Sequence, residues 1–209
     1  MAPPSQTLPP EEVAGYLRVT TVLAFFAEPT LVDWMVKKGP DAKKIAKAAM
    51  KVGTEVDEAI KEFIRSNKYG KVKTVEAVSC LDGFKRWYDD YRPSLSVGAR
   101  LFNEEYKVTG EPDLYLGDRI IDIKCAREIR PKYHVQTGGY AWMADKGATG
   151  ILRLHKQLGD YEYVERNGEQ VVSDRNCFLD LLHAYNHLQG LLLGAKGVSN
   201  ADSPAADTF

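Results

Sequence analysis

The sequence predicts an α/β fold in which a mixed central sheet is flanked by helices, with a helical region at its N-terminal side. Apolar residues recur at helical spacing in the first part of the chain and again near its end, but alternate in twos through the middle. The resulting order is helices, three strands, a helix, further strands and a last helix, which is typical of α/β proteins. The 209 residues are enough for one domain with its own core.

Composition sets the predicted boundaries. Residues 1–15 begin Pro-rich and residues 198–209 are small and polar, so both are predicted to be flexible. Between them, residues 16–197 are predicted to form a single domain. Its parts are an N-terminal helical region at about 16–95, an α/β core at about 53–165 and a C-terminal helix at about 174–193.

The helical region is predicted from apolar patterns combined with start and stop signals. Its predicted helices are a short one in Val22–Phe26, one from Pro29 to Lys38, a lysine-bearing one capped by Asp41, one opened by Gly53-Thr54, and one from Val75 to Tyr91. The last of them is expected to stop before Pro93, because a residue that precedes proline disfavours helical backbone.

The middle of the chain has the alternation of strands. The predicted strands are Ala99–Val108, Asp113–Leu116, Arg119–Cys125, Thr149–His155 and Tyr161–Glu165. Pro131 suits the first turn of a helix over 132–146. Asn167-Gly168 is typical of a turn, and Asp174 is expected to cap the last helix.

Cysteine count and apolar content exclude several classes of protein. Three scattered cysteines argue against a disulfide framework or a zinc ribbon, and cannot supply the four thiolates of an iron–sulfur cluster. They favour a reducing compartment, so we expect a cytoplasmic protein. No apolar run approaches the roughly 20 residues of a membrane span, and the N-terminus does not resemble a secretory signal.

The net charge of -1 means that any binding to nucleic acid must depend on a local patch. One candidate is a group of lysines with a single acid among them. Two interpretations stay open for it: a solvated helix face, or a surface that contacts DNA phosphates. The group comprises Lys37, Lys38, Lys43, Lys44, Lys47 and Lys51.

The segment from Glu111 to Lys124 contains the main candidate functional residues. Gly117-Asp118 suits a two-residue hairpin turn, because glycine tolerates a positive φ at the first position. Counting back from that turn places Asp113 directly opposite Asp122, on one face of a sheet. Lys124 shares that face, being two residues further on.

Opposed carboxylates destabilise a sheet unless something offsets their repulsion, and a hard divalent cation such as Mg²⁺ prefers such oxygens. Two acids, an amine and a cation together suit phosphodiester hydrolysis. The alternative from these residues alone is a salt-bridged, solvated strand face, with Lys124 paired to Glu111 or Asp122.

Further motifs extend the pattern. Gly110-Glu-Pro-Asp113, Ile121-Asp-Ile-Lys124 and Gln136-Thr-Gly-Gly-Tyr140 together resemble the signature of PD-(D/E)XK nucleases, in the branch with the RecB nuclease domain and many phage exonucleases. Upstream, Arg18-Val-Thr-Thr and Gly53-Thr-Glu-Val-Asp57 resemble the N-terminal segment and first motif of that branch. The resemblance runs from about Tyr16 to His155 and implies a restriction-endonuclease-like core.

The resemblance also implies roles. Asp113 and Asp122 would bind Mg²⁺ or Mn²⁺ (one or two ions) together with the backbone carbonyl of Ile123, and Lys124 would be the catalytic lysine. Gln136 and Tyr140, four residues apart and so on one helix face, would border the metal and contact DNA.

Two acids outside the hairpin are further candidates. Asp57 stands where the branch usually has histidine, and is expected close to the metal as a candidate ligand. The alternatives are that Glu55 or Glu58 serves instead, or that Asp57 is an ordinary acid on the helix surface. Glu105 is expected on the strand before the hairpin, facing either the metal or solvent.

The resemblance implies a metal-dependent deoxyribonuclease, an exonuclease above all, acting in DNA processing or recombination on double-stranded ends or single strands. The alternatives are a structure-selective or nicking endonuclease, and a catalytically silent DNA-binding module or recombination accessory protein. No GxxxxGK[ST] motif occurs, so unwinding would come from a helicase partner, and a single-strand annealing protein is another expected partner. A phage origin would place the protein in the host cytoplasm.

Overall fold

The computed structural model describes residues 15–26 and 28–198, and the side-chain surroundings as far as residue 192. Except for residues 15 and 198, the two segments predicted to be flexible lie outside the described residues. The helices are α1 (Val19–Phe25), α2 (Pro29–Lys38), α3 (Asp41–Ser66), α4 (Val75–Tyr91), α5 (Pro131–Ala144) and α6 (Glu169–Val198). The strands are β1 (Leu17–Arg18), β2 (Ser96–Val97), β3 (Leu101–Asn103), β4 (Val108–Gly110), β5 (Leu114–Leu116), β6 (Arg119–Cys125), β7 (Ala148–Leu154) and β8 (Tyr161–Asn167).

A five-stranded sheet in the order β2-β5-β6-β7-β8 confirms the predicted α/β class with a mixed central sheet. Its central pair, β6 and β7, is parallel, and its other neighbours are antiparallel. The helix α5 makes the crossover between the parallel strands, as such a connection requires.

A second sheet, in the order β1-β4-β3, was not predicted. The single strand predicted over Ala99–Val108 is wrong, because the chain reverses after Asn103 and forms the antiparallel pair β3–β4. The side chain of Asn103 accepts a hydrogen bond from the backbone N–H of Tyr106 at 2.9 Å, which is the local bond by which asparagine stabilises a turn.

Three predicted helix starts are also wrong. The helix α3 runs through Gly53 without a break, because a helical glycine costs only about 1 kcal/mol, and Val52 and Val56 are buried on either side of it. Asp41 is the first residue of α3 rather than its cap. The helix α6 begins five residues before Asp174, whose side chain pairs with Arg166 at 2.6 Å instead of capping the helix.

The core has two parts, one on each face of the central sheet. One cluster packs α3 and α4 against β5, β6 and β7, and the other packs α1, α5 and α6 together. Ile121 belongs to the first cluster and Ile120 to the second, because side chains alternate along a strand. Asp122 and Lys124 therefore lie on the same face as Ile120, beside α5.

Within the described residues, no helix on its own has the length and apolar character to cross a membrane. The helices α1 and α2 are long and apolar enough only when they are counted together, and the angle between them is 73°.

Candidate active site

The candidate site lies at the start of β5, where β6 continues past its last pairing with that strand. The observed pairs Leu114–Ile121, Tyr115–Ile120 and Leu116–Arg119 match the predicted hairpin register. Gly117 has φ 57°, the positive value expected at the first position of the turn. Asp113 immediately precedes β5, so the same register places it opposite Asp122.

Beyond Asp122, the strand β6 pairs only with β7, which leaves one edge of its last three residues free of β5. The backbone N–H of Ile123 donates to Asp113 Oδ2 at 2.6 Å across this gap. Because the N–H and C=O of one strand residue point to the same side, the carbonyl of Ile123 is also directed toward Asp113.

Asp122 and Lys124 form a close ion pair, with Lys124 Nζ 2.6 Å from Asp122 Oδ2. The side chain of Asp122 is 3% exposed, so this pair is shielded from solvent on the side of the acid. The ammonium also lies 5.2 Å from the centre of the Tyr133 ring, a cation–π contact that further fixes its position.

The helix α5 brings an amide to the same acid. Gln136 Nε2 donates to Asp122 Oδ1 at 3.3 Å and to the hydroxyl of Tyr140 at 2.8 Å, so the predicted shared face is present. Tyr140 is buried and passes close to the backbone of Gly110. A Cβ on Gly110 would lie 2.4 Å from the Tyr140 ring, which explains a glycine in that motif.

Burial dominates the electrostatics of the two acids. It raises the pKa of Asp113, and the nearby Asp122 raises it further, to about 7, although Lys124 and the Ile123 N–H oppose the shift. Burial also raises the pKa of Asp122, against the attraction of Lys124. Additional positive charge at this place would favour the ionised form of both carboxylates.

The donor atoms fit a hard divalent cation. Two carboxylates and a backbone carbonyl are the ligands that Mg²⁺ and Mn²⁺ accept, with water completing the coordination. No group of three or more His, Cys, Asp or Glu side chains in the described ranges is arranged to hold an ion. Asp113, Asp122 and the Ile123 carbonyl could supply donors of this kind.

Asp57 reaches the site from α3, where it lines the same cavity as Asp113 and Asp122. Its Oδ2 lies 2.9 Å from Lys61 Nζ, while its Oδ1 is buried without a hydrogen-bond partner. Lys61 also lies 3.8 Å from Glu111 Oε1, and Arg100 lies 3.3 Å from the other oxygen of that acid. Burial opposes the charge of Lys61, but the hydrogen bond and attraction of Asp57 hold its pKa above the usual value.

Sequence reasoning missed Lys61 as part of the site and gave Glu111 no role at the metal. The spacing of four residues between Asp57 and Lys61, which favours ion pairs on a helix, was the available signal. Glu111 was visible within its motif, but only the fold directs it toward α3.

Some candidates lie away from the site. Glu105 is exposed in the turn between β3 and β4, so its expected position on a strand facing the metal is wrong. Glu55 accepts hydrogen bonds from the backbone N–H groups of Lys73 and Thr74, and Glu58 is exposed. Of the three acids considered on α3, Asp57 is therefore the one at the cavity.

The predicted lysine group is exposed along α2 and α3. None of its members lines the cavity that holds the acids. They are Lys37, Lys38, Lys43, Lys44, Lys47 and Lys51.

The acids line a cavity of about 320 Å³. A smaller cavity of about 180 Å³ shares Glu111 and Tyr140 with it. The other residues around the smaller cavity are Arg18, Val19, Thr20, Arg100, Thr109 and Gly110.

Comparison with known proteins gives similar structures only. No protein-family model and no curated protein matches this sequence. Among solved structures, the alkaline exonuclease LHK-Exo from Laribacter hongkongensis has a TM-score of 0.46 and 11% identity over 90% of this chain and 97% of that chain. The same enzyme in complex with dAMP has a TM-score of 0.48 and 11% identity over 91% and 97% of the two chains.

A phage-related exonuclease from Haemophilus somnus 129PT has a TM-score of 0.43 and 17% identity, over 85% of this chain and 96% of that chain. Identities this low concern the fold alone, so a function has to come from the geometry of the site.

Proposed function

We propose that this chain is a metal-dependent deoxyribonuclease of the PD-(D/E)XK class, and that it acts as an exonuclease. The observation that supports this most directly is the arrangement of Asp113, Asp122 and Lys124 at the free edge of β6. A buried acid and a half-buried acid opposite each other, one amine beside them and a nearby backbone carbonyl form a site for a cation and a phosphate together.

The residues have separate roles in the proposed hydrolysis. A divalent cation, when bound by Asp113, Asp122 and the Ile123 carbonyl, would supply Lewis-acid stabilisation of charge on the phosphate. Lys124 would orient the attacking water and stabilise the negative charge that grows on the phosphate oxygens. Gln136 donates to Asp122 Oδ1 and to the hydroxyl of Tyr140, and so would keep that carboxylate oriented toward the site.

The smaller cavity favours an exonuclease over an endonuclease. Arg18 and Arg100 line it, and Thr20 adds a hydroxyl group, a combination suited to a phosphate group. It adjoins the acids through Glu111 and Tyr140. A pocket for a terminal phosphate beside the reacting bond would position the end of a DNA strand. An internal cleavage site has phosphodiesters on both sides and no terminal phosphate to fill such a pocket.

The first test is cleavage of end-labelled linear DNA, single- and double-stranded, with Mg²⁺, Mn²⁺ or EDTA. Lys124→Ala is expected to lower the cleavage rate by at least about 10²-fold, the usual cost of losing a group that stabilises transition-state charge. Lys146→Ala is the matched control, because Lys146 is 18% exposed against 20% for Lys124 and also pairs with an aspartate. Wild-type cleavage by Lys124→Ala would disprove the assignment.

Linear and covalently closed circular DNA separate the two nuclease mechanisms. An exonuclease degrades the linear form and leaves the circle intact, whereas a nicking or structure-selective endonuclease opens the circle. DNA binding without cleavage under any metal would instead favour the catalytically silent module.

A further inference from the structure

The acids around the larger cavity are divided between two ammonium groups. Lys124 lies 2.6 Å from Asp122, and Lys61 lies 2.9 Å from Asp57 and 3.8 Å from Glu111. Asp113 contacts neither lysine closely, and its Oδ2 accepts only the backbone N–H of Ile123. The uncompensated negative charge of the cavity is therefore concentrated at Asp113, on the side toward Asp122.

Lys61 lies where a second cation would have to bind. It extends from α3 into the space between Asp57 and Glu111, with its side chain 16% exposed. A divalent cation bound to Asp57 would lie close to this ammonium, and the repulsion would be strong in so shielded a place.

We propose that the Lys61 ammonium takes the place of a second divalent cation, so that the site binds one Mg²⁺ or Mn²⁺ and Asp57 is not a ligand in the native chain. This inference rests on the proposed function. Lys61 is then a positioning residue, because it holds Asp57 and Glu111 at the rim of the cavity without contacting the phosphate. The buried, unpartnered Oδ1 of Asp57 becomes a metal ligand only when Lys61 is removed.

Manganese binding without DNA tests this proposal, measured by isothermal titration calorimetry and by the electron paramagnetic resonance signal of free Mn²⁺. The wild-type chain is expected to bind one Mn²⁺, and Lys61→Met to bind two. Lys85→Met is the control, because Lys85 forms a comparable pair with Asp82 at 2.8 Å on α4, away from the cavity. It is expected to bind one ion with wild-type affinity.

Asp57→Asn provides a second test that does not depend on the folding of Lys61→Met. If Asp57 is not a ligand, its change leaves the affinity for the single Mn²⁺ within about threefold. Loss of a group that supports a metal typically costs about 10- to 100-fold, so a fall of that size would overturn the proposal. The double variant Lys61→Met with Asp57→Asn should return to one ion.

The outcomes distinguish this inference from the proposed nuclease function. Two ions bound to the wild-type chain, or one ion bound to folded Lys61→Met, would overturn the role of Lys61 while the nuclease proposal stands. No Mn²⁺ bound to the wild-type chain, with no metal-dependent cleavage, would overturn both.

Discussion

At the scale of single residues, Asp113 is the acid whose charge is least compensated. The sequence alone identified the opposed pair, whose repulsion is expected to destabilise the chain without metal. Removing the charge of Asp113 should relieve this repulsion, whereas Asp122 is held by Lys124 and Gln136, and its removal would leave the half-buried Lys124 without its partner.

Asp113→Asn is therefore expected to change the pH dependence of stability in EDTA. In the folded chain the pKa of Asp113 is raised from 3.8 to about 7, so its stabilising contribution is complete below about pH 4 and is lost as the pH rises through 7. Asparagine does not titrate but can still accept the Ile123 hydrogen bond. The melting temperature of Asp113→Asn relative to the wild-type chain should thus increase between about pH 4 and pH 8.

Thermal unfolding across this pH range is the measurement. Asp33→Asn, at an exposed acid on α2, should run parallel to the wild-type chain throughout. Parallel curves for Asp113→Asn as well would show that the opposed acids do not repel as described. Added Mg²⁺ should reduce the difference between Asp113→Asn and wild type, since the ion stabilises only the ionised pair.

At the scale of elements, features set by local interactions were predicted correctly, and features set by long-range packing were not. The register of β5 and β6 is set by a two-residue turn and by alternation, which are local and visible in the sequence. The pairing of β1 with β4 joins residues about 90 positions apart, so no local pattern announces it. The continuity of α3 through Gly53 depends on burial of its neighbours, which again only the fold reveals.

The packing of α6 against α5 also positions the site, because α5 carries Gln136. The face of α5 opposite Gln136 carries Gly138, and a Cβ there would lie 2.6 Å from the carbonyl carbon of Asp174 and 2.7 Å from the Arg175 nitrogen. Both are backbone atoms, so they cannot rotate away. Because Gly138 has no side chain, α6 can pack closely against α5 on the side away from Gln136.

Gly138→Ala is expected to destabilise the chain by about 1–3 kcal/mol, the usual cost of overpacking, and to reduce cleavage by displacing Gln136. Gly190→Ala on α6 is the control, because its Cβ would meet nothing within 4 Å. There the usual helix preference should stabilise the chain by roughly 0.5–1 kcal/mol. Urea unfolding measures both, and equal effects would contradict the close packing of α5 against α6.

At the scale of the whole molecule, the order of the motifs along the chain was readable from the sequence, but only some of the residues that meet at the site were. The acids of the hairpin and the amide of α5 are close in sequence, and their convergence was predicted. Lys61, Arg18 and Arg100 come from three other parts of the chain, and only the packing of α3 and the smaller sheet brings them to the same place.

The orientation of α3 also connects the lysine group with the site. Lys43, Lys47 and Lys51 follow one another at intervals of four on α3, the same helix that places Asp57 at the cavity. At about 1.5 Å per residue, Lys43 lies about 20 Å from Asp57 along the helix axis. Under the proposed function, phosphates of a DNA strand bound at the site are expected to contact these lysines.

The double variant Lys43→Gln with Lys47→Gln is therefore expected to weaken DNA binding and to lower the slope of log affinity against log salt by about 2, since each lost phosphate contact removes about 0.9. The cleavage rate at saturating DNA should stay unchanged, because neither side chain lines the cavity. Lys68→Gln with Lys71→Gln removes the same charge beyond the other end of α3 and serves as the control. An equal fall in slope for both double variants would show that only the net charge of the protein matters. No fall in either would show that the lysines of α3 do not contact DNA.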